Sequence, residues 1–202
     1  MTQPAATGKR TERREREHGA TRAAILAAAR RVAAREGARE LSLRGVAAEA
    51  GFAPAALYGY FTGKDDLLLA LAAEDLTSLA RAMRGATAGH EGKGKLAAAS
   101  AAALAMLRTT ETIAAASAAL PASAGTGEAE RLFNGRLIAA LNVLSEAAGH
   151  KGNSRGSQCD VLLVAATLSG LALLARSGRL EALGFTPEEI LDRLDTRFTH
   201  EG

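Results

Sequence analysis

The sequence predicts an all-α protein, and three observations lead to that prediction. Hydrophobic residues make up 48% of the 202 residues but aromatic residues only 3%, and alanine, the strongest helix former, supplies much of the difference. Apolar residues recur at helical spacing in successive segments. The sequence has no convincing run of alternating β-branched residues, which is the pattern of a strand. A chain of this length can bury a sizeable core in one or two domains.

The first helix is predicted over residues 21–36. Ile25, Ala29 and Val32 form an apolar stripe along one side, and the arginines of this segment lie outside the stripe. Gly37 ends the helix. We expect the stripe to pack beneath the elements that follow.

Residues 42–64 predict two short helices joined by a tight turn. Ser42 is a favourable N-cap, apolar residues follow it at helical spacing, and Gly51 ends this helix. Pro54 suits the first position of a second helix, predicted to end at Tyr60. Two short helices joined by a glycine-containing turn are typical of the helix-turn-helix, whose second helix enters the DNA major groove.

These residues resemble the DNA-binding signature of TetR-type repressors. The shared features are Ala-x-x-Ala-Gly over residues 47–51, Leu-Tyr-x-Tyr-Phe over residues 57–61, and Lys64 at the start of the next helix. The resemblance extends from Arg22 to about Leu71. It implies an N-terminal three-helix helix-turn-helix head over residues 19–64, followed by a C-terminal α-helical bundle over residues 65–202 for ligand binding and dimerisation.

The charge distribution agrees with a DNA-binding head. Residues 1–60 hold eleven Lys or Arg and six acidic residues, a net charge of +5, whereas the whole chain carries +3. Residues 1–18 form a basic arm that we expect to be disordered when free. It either reaches DNA phosphates or the minor groove, or it is a solubilising tail, and the residues favour neither.

The second short helix offers little for reading bases. Its exposed positions hold Pro, Ala, Tyr and Gly, where major-groove readout usually uses Arg, Lys, Asn or Gln. We therefore expect specificity to depend on DNA shape, on Arg44 as a guanine contact and on the arm. The resemblance implies that Lys64 holds a phosphate. The candidate DNA contacts are Arg22, Ser42, Arg44, Ala55, Ala56, Tyr58, Tyr60 and Lys64.

Local substitutions weaken the two short helices. Ala53 stands where the family usually has a capping Ser or Thr, a change that typically costs about 1 kcal/mol. Gly45 and Gly59 each cost roughly 0.5 to 1 kcal/mol if they lie inside a helix. They reflect either sequence drift or room for close approach to DNA.

The body is predicted to contain helices over residues 65–84, 96–120, 128–148 and 158–175 and a last helix from Pro187, with a break near residues 109–112. The helix over 65–84 connects head and body. A ligand that tilts it is therefore expected to change the spacing between two recognition helices.

The resemblance implies a ligand pocket among the helices over residues 67–148. For each candidate, ordinary core or surface is the favoured explanation and a ligand contact the alternative. Aromatic residues are scarce there, which disfavours a cage for cations and favours an apolar or weakly acidic ligand. The candidates are Met83, Leu104, Met106, Leu107, Arg108, Phe133, Asn134, Leu137, Leu141 and Asn142.

The helix over residues 158–175 is apolar on all sides, so each side needs covering. Pairing it and the last helix with their copies in a second subunit gives a four-helix interface, which resembles how the family dimerises. The candidate interface residues are Val161, Leu162, Ala165, Leu168, Leu171, Ala172, Ile190, Leu191, Leu194 and Phe198.

Other functional classes find less support. The four histidines are far apart and form no recognisable zinc or catalytic motif, so we expect neither an enzyme nor a bound metal or cofactor. The N-terminus is polar, and the most apolar stretch, residues 161–175, is shorter than the roughly 18 residues of a membrane span. We expect a cytoplasmic homodimeric repressor, released from a palindromic double-stranded DNA operator by a small apolar ligand. The alternative is an architectural DNA-binding dimer without a ligand switch.

Overall fold

The structure, a computed structural model, describes residues 5–90, 92, 94–119, 127–152 and 154–199. Within these ranges it contains α-helices and no strand, which confirms the all-α prediction. The ten helices are α1 (Ala5–Glu36), α2 (Leu43–Ala50), α3 (Pro54–Leu57), α4 (Lys64–Thr87), α5 (Lys95–Leu107), α6 (Thr112–Ala119), α7 (Glu128–Ala147), α8 (Arg155–Arg176), α9 (Arg179–Ala182) and α10 (Pro187–Phe198).

The second half of α1 packs with α2 and α3 to form the head. The apolar stripe of α1 is buried against them, and Leu57 of α3 and Phe61 close the core from the other side. Ser42 accepts a hydrogen bond from the Gly45 amide and caps α2. Gly51, with φ 73°, adopts the left-handed conformation that ends α2, a conformation that costs glycine little. The turn between the helices is therefore fixed by its sequence.

Helix α4 is the central element of the chain. It begins below the head at Lys64, contacts α1, and then packs against α5, α6 and α7. Its residues from Leu67 to Ala73 are all buried. One continuous helix of 24 residues thus belongs to both parts of the molecule.

The body is closed by its last helices. Helix α8 lies against α5 and α7, and α10 lies against α5 and α8. The Asp195 carboxylate of α10 accepts hydrogen bonds from the amides of Gly94 and Ala97 at 3.2 and 3.1 Å. This carboxylate caps the start of α5, where the helix dipole favours a negative charge.

Helices α1 and α3 differ in extent from those predicted, and one short helix is additional. Helix α1 begins at Ala5, so residues 5–18, expected to be disordered, are helical; alternating Arg and Glu at i,i+4 spacing supports this extension, as the Arg13–Glu17 pair illustrates. Helix α3 ends at Leu57, which places Gly59 in a turn outside the helix. Helix α9 was not predicted.

Helix α8 is longer than the stretch identified in the sequence. It contains 22 residues and, among the residues that the structure describes, it is the one helix long and apolar enough to cross a membrane. The argument from a 15-residue stretch was therefore wrong about length. A core helix of a globular protein passes the same test, and α8 packs within the body.

Candidate DNA-binding surface and ligand cavity

Helix α3 presents a surface of small and aromatic side chains. Ala55, Ala56 and Tyr58 are exposed, and Tyr58 has 64% of its surface accessible. Ala53 has the extended backbone of an N-cap but no side-chain acceptor for the amides of α3. The surface offers shape and one phenolic hydroxyl, as the sequence indicated.

Two aromatic contacts join α1 to this surface. The ring of His18 stacks on Tyr60 with centroids 4.4 Å apart, and the Arg22 guanidinium lies 5.2 Å from the centroid of Phe61. Tyr60 is half-buried, and so is Arg22. Both predicted contacts thus also have structural roles, and Arg22 makes a cation–π interaction.

Several basic residues of the head are engaged in ion pairs. Arg31 and Arg35 bond the Glu49 carboxylate at 2.7 and 3.2 Å, which ties α1 to α2. Hydrogen bonds from Arg31, then from Arg35, lower the pKa of Glu49. Lys64 donates to the backbone carbonyl of Arg39. Its ammonium therefore lies beside the 3-10 helix Ala38–Glu40 and stays exposed.

Arg39 and Arg44 differ from these residues. Both are exposed, and within the described part of the chain neither forms an ion pair. Arg39 was not among the predicted contacts, because no local pattern before Ser42 indicates that this segment lies at the surface of the head. Ser42 itself is exposed but is used as a cap, and a Cβ on Gly45 would meet its hydroxyl at 3.1 Å. A side chain at position 45 would therefore crowd the capping hydroxyl, which explains the glycine by local structure.

A small apolar cavity of about 80 Å³ lies inside the body. Of the predicted ligand contacts, Met83, Leu107, Leu137 and Leu141 line it. Residues missed by the sequence also line it, among them Leu76, Leu79 and Ile113. The sequence shows that these residues are apolar, but which of them border a void depends on how α4 and α6 pack.

The other predicted ligand contacts lie elsewhere. Leu104 and Phe133 are buried outside the lining of this cavity, and Met106 is half-buried. Asn134 is exposed on α7. Asn142 is exposed and lines a surface groove between α7 and α8. Arg108 lines a third cavity.

That third cavity lies between head and body and has a volume of about 470 Å³. Asp75 of α4, only 6% exposed, lies at its wall. The Asp75 carboxylate accepts hydrogen bonds from Arg30 of α1 at 2.5 Å and from the Thr112 hydroxyl of α6. A buried carboxylate is stable only with such partners, so three helices from both parts of the chain are tied together here.

The predicted dimer contacts divide into two groups. Six are packed inside the chain and are unavailable to a second subunit unless the helices separate: Val161, Leu168, Leu171, Ala172, Leu191 and Leu194. Ala165, Ile190 and Phe198 are half-buried. Of the ten, Leu162 is well exposed, at 56%, and it shares an outer face of α8 with Ala166, Ser169 and Leu173. Because α8 is apolar on all sides, its sequence does not indicate which face is buried inside the chain and which face is exposed.

The head provides the decisive comparison with known proteins. The family model of bacterial regulatory proteins of the tetR family matches residues 25–71, which contain α2, α3 and the start of α4. Residues 25–71 are therefore a TetR-family DNA-binding domain of the helix-turn-helix type.

Solved structures extend the likeness to the body. A protein of unknown function from Rhodococcus sp. RHA1 is 25% identical, with a TM-score of 0.66, over 89% of this chain and 96% of its own. A TetR transcriptional regulator from Rhodococcus sp. RHA1 is 19% identical over the same shares, with a TM-score of 0.66. The regulator FadR from Bacillus subtilis, in complex with stearoyl-CoA, is 18% identical over 87% of this chain and 96% of its own, with a TM-score of 0.60. These likenesses establish the fold, and no curated protein sequence matches.

Proposed function

We propose that this chain is a homodimeric TetR-type repressor that a small, mainly apolar ligand releases from a palindromic operator. The observation that carries the proposal is the course of α4. It begins at Lys64 below the DNA-binding surface, and its residues Leu76, Leu79 and Met83 line the apolar cavity. One helix therefore senses the cavity and positions the head.

The ligand acts, in this proposal, by enlarging the apolar cavity. At about 80 Å³ the cavity is well below the roughly 300 Å³ of a typical ligand pocket, so an occupant has to separate its walls. Two wall residues, Leu76 and Ile113, are next in sequence to Asp75 and Thr112. Moving α4 relative to α6 therefore acts on the Asp75 hydrogen bonds and, through Arg30, on α1.

Such a movement changes DNA affinity by linkage. The ligand favours the body conformation with the larger cavity, and that conformation spaces two heads poorly for successive major grooves about 34 Å apart. Stearoyl-CoA, the ligand in the structure of the similar regulator FadR, carries an apolar acyl chain. A ligand with such a chain suits walls made of Leu, Met and Ile.

The second subunit is expected on the outer face of α8. Leu162, Ala166, Ser169 and Leu173 lie along one side of this helix, and Ile138 of α7 lies beside Leu162 at the surface groove. Ala166 and Ser169 are small, so two copies of α8 can approach closely here, with Leu162 and Leu173 packing on either side. A Leu173→Glu variant should sediment as a monomer at concentrations where the parent is a dimer, whereas Leu183→Glu, at an exposed leucine outside α8, should not. We place the regulator in the cytoplasm, where the DNA is.

An architectural DNA-binding dimer without a switch is the second candidate. The surface of α3 favours it, because Ala55, Ala56 and Gly59 provide no side-chain hydrogen bonds to base edges. It predicts a small difference in affinity between an operator and random DNA. The two proposals therefore separate in one binding experiment.

That experiment measures binding to DNA from upstream of the chain's own gene by fluorescence anisotropy, with a scrambled duplex alongside and salt varied. A repressor should bind the native duplex at least about a thousandfold more tightly. Arg44→Ala should reduce this preference, because a bidentate guanine contact discriminates by about 1–3 kcal/mol. Equal affinities would support the architectural candidate and contradict the repressor.

Release is tested on the same complex. Adding octanoate, palmitate or stearoyl-CoA should dissociate the native duplex if an acyl chain opens the cavity. Leu137→Phe fills the cavity and should weaken the response while leaving ligand-free DNA affinity intact. An unchanged response in this variant would place the ligand elsewhere.

A further inference from the structure

The N-terminal extension of α1, residues 10–20, projects beyond the head core. Every one of these residues is exposed, and none has an apolar side chain larger than that of alanine. A helix that is polar all round contributes no apolar face to the core of its own chain, and it also has no apolar stripe for a partner helix. Its side chains, four arginines and three glutamates among them, suit a charged partner.

The extension is held beside the DNA-binding surface. His18 stacks on Tyr60, and Arg22, one turn later, lies over Phe61. Tyr60 is the third residue after the end of α3. These two contacts fix the side of the extension that carries His18 towards the helix-turn-helix.

The arginines of the extension separate onto two sides. By the helical repeat, Arg14 lies one turn before His18, about 6 Å along the axis, and Arg10 one further turn, about 12 Å from His18. Both are on the side of His18, and within the described residues neither forms an ion pair. Arg13 and Arg16 lie on the opposite side.

The opposite side is occupied internally. Arg13 pairs with Glu17 at 3.6 Å, and the Arg16 Nε donates to the backbone carbonyl of Glu12 at 3.2 Å. Arg13 is therefore ion-paired and Arg16 is held against its own helix, whereas Arg10 and Arg14, on the side next to Tyr60, have neither kind of contact among the described residues. A tail that only increases solubility would not require its arginines to be divided between two sides in this way.

We propose that the extension is a second, rigid DNA-binding element, in which Arg14 and Arg10 contact phosphates beside the major groove that α3 enters. The proposal rests on the proposed binding of DNA by the head. A helix is about 10–12 Å wide with its side chains, whereas the minor groove of B-DNA is about 6 Å wide. The extension therefore lies along the sugar-phosphate backbone and does not enter the minor groove as an extended arm does.

The test compares two double variants of the full chain. Arg10→Ala with Arg14→Ala removes the phosphate contacts, and Arg13→Ala with Arg16→Ala removes the same charge from the other side. The salt dependence of binding is measured on the native and the scrambled duplex. Each lost phosphate contact lowers the magnitude of the log–log slope by about 0.9, so the first variant should lose about 1.8 for each bound subunit and about 3.6 for a dimer.

The matched variant should keep a slope close to that of the parent. His18→Ala should also lower the slope, although it removes no arginine, because the extension loses its contact with Tyr60. Circular dichroism checks that each variant keeps its helix content. Equal losses in the two double variants would reduce the effect to general electrostatic attraction and overturn the proposal.

The test of the extension and the test of the repressor proposal can fail separately. The slope is a sequence-independent quantity, so it can be measured even if the two duplexes bind equally. In that case the repressor proposal is contradicted, and the proposal that the extension contacts phosphates can still be confirmed. Binding to neither duplex contradicts both proposals.

Discussion

The head and the body of this chain bury their helices with different kinds of residue. The head closes around large side chains, among them Leu57 and Phe61, and its turn depends on the Ser42 cap and on Gly51 in a left-handed conformation. The body is filled largely by leucine and alanine, and it leaves a void against α4. Ser42 and Gly51 therefore fix the turn of the head, whereas the void leaves the walls of the body cavity room to move.

The largest effect is expected from matched substitutions in the two cores. Phe61→Ala and Phe133→Ala each remove a phenylalanine that is 1% exposed, and each should lower the free energy of unfolding by about 3–5 kcal/mol. Phe61→Ala should also abolish DNA binding, because Arg22 packs over that ring and the ring closes the core of the head. Phe133→Ala should retain binding at temperatures where it is folded. Urea denaturation followed by circular dichroism, with anisotropy on the same samples, checks both; loss of binding in both variants would mean that the two parts are not separable.

A smaller effect is expected where the two parts meet. Thr112→Val keeps the shape of the side chain but leaves the buried Asp75 carboxylate without one of its donors, which should cost about 1–3 kcal/mol. Thr112→Ser is the control, since it keeps the hydroxyl. Denaturation measures the cost. If Val and Ser destabilise equally, the hydroxyl contributes nothing and the proposed route from cavity to head loses its middle step.

The same contrast explains what the sequence was able to predict. The head was predictable because Ser42, Gly51 and Pro54 each act through local backbone geometry. Helix positions in the body followed from periodicity, but the exposed face of α8 did not, because both faces are apolar. The Asp75 network joins residues 37 and 45 positions apart in sequence, so no local pattern could indicate it.

The two caps of the head should give opposite effects of about 1 kcal/mol. Ser42→Ala removes the acceptor for the Gly45 amide and should destabilise. Ala53→Ser should stabilise, because Ala53 already has φ −65° and ψ 137°, a backbone suited to an N-cap that lacks only the side-chain oxygen. Thermal unfolding of the two variants and the double variant measures the sum. A destabilising Ala53→Ser would show that the start of α3 is held by something other than its cap.

The smallest effect concerns two carboxylates whose pKa values are lowered for different reasons. Arg31 and Arg35 lower the pKa of Glu49 in the head, and the backbone amide of Thr186, then its hydroxyl, lowers that of Glu189 in the body. A lowered folded-state pKa stabilises the fold above the unfolded value of 4.5, and this contribution is lost as pH falls through the folded-state pKa.

Glu49→Gln should therefore shift the urea midpoint at pH 7 and low salt, and the difference from the parent should shrink as pH falls below 4.5 and disappear below the lowered folded-state pKa of Glu49. High salt should also reduce it, because exposed ion pairs are screened. Glu189→Gln is the control from the body: glutamine can still accept the hydrogen bonds of the Thr186 capping box, so its midpoint should move less and respond little to salt. A salt-independent effect of Glu49→Gln would mean that hydrogen-bond geometry, and not charge, joins α1 to α2.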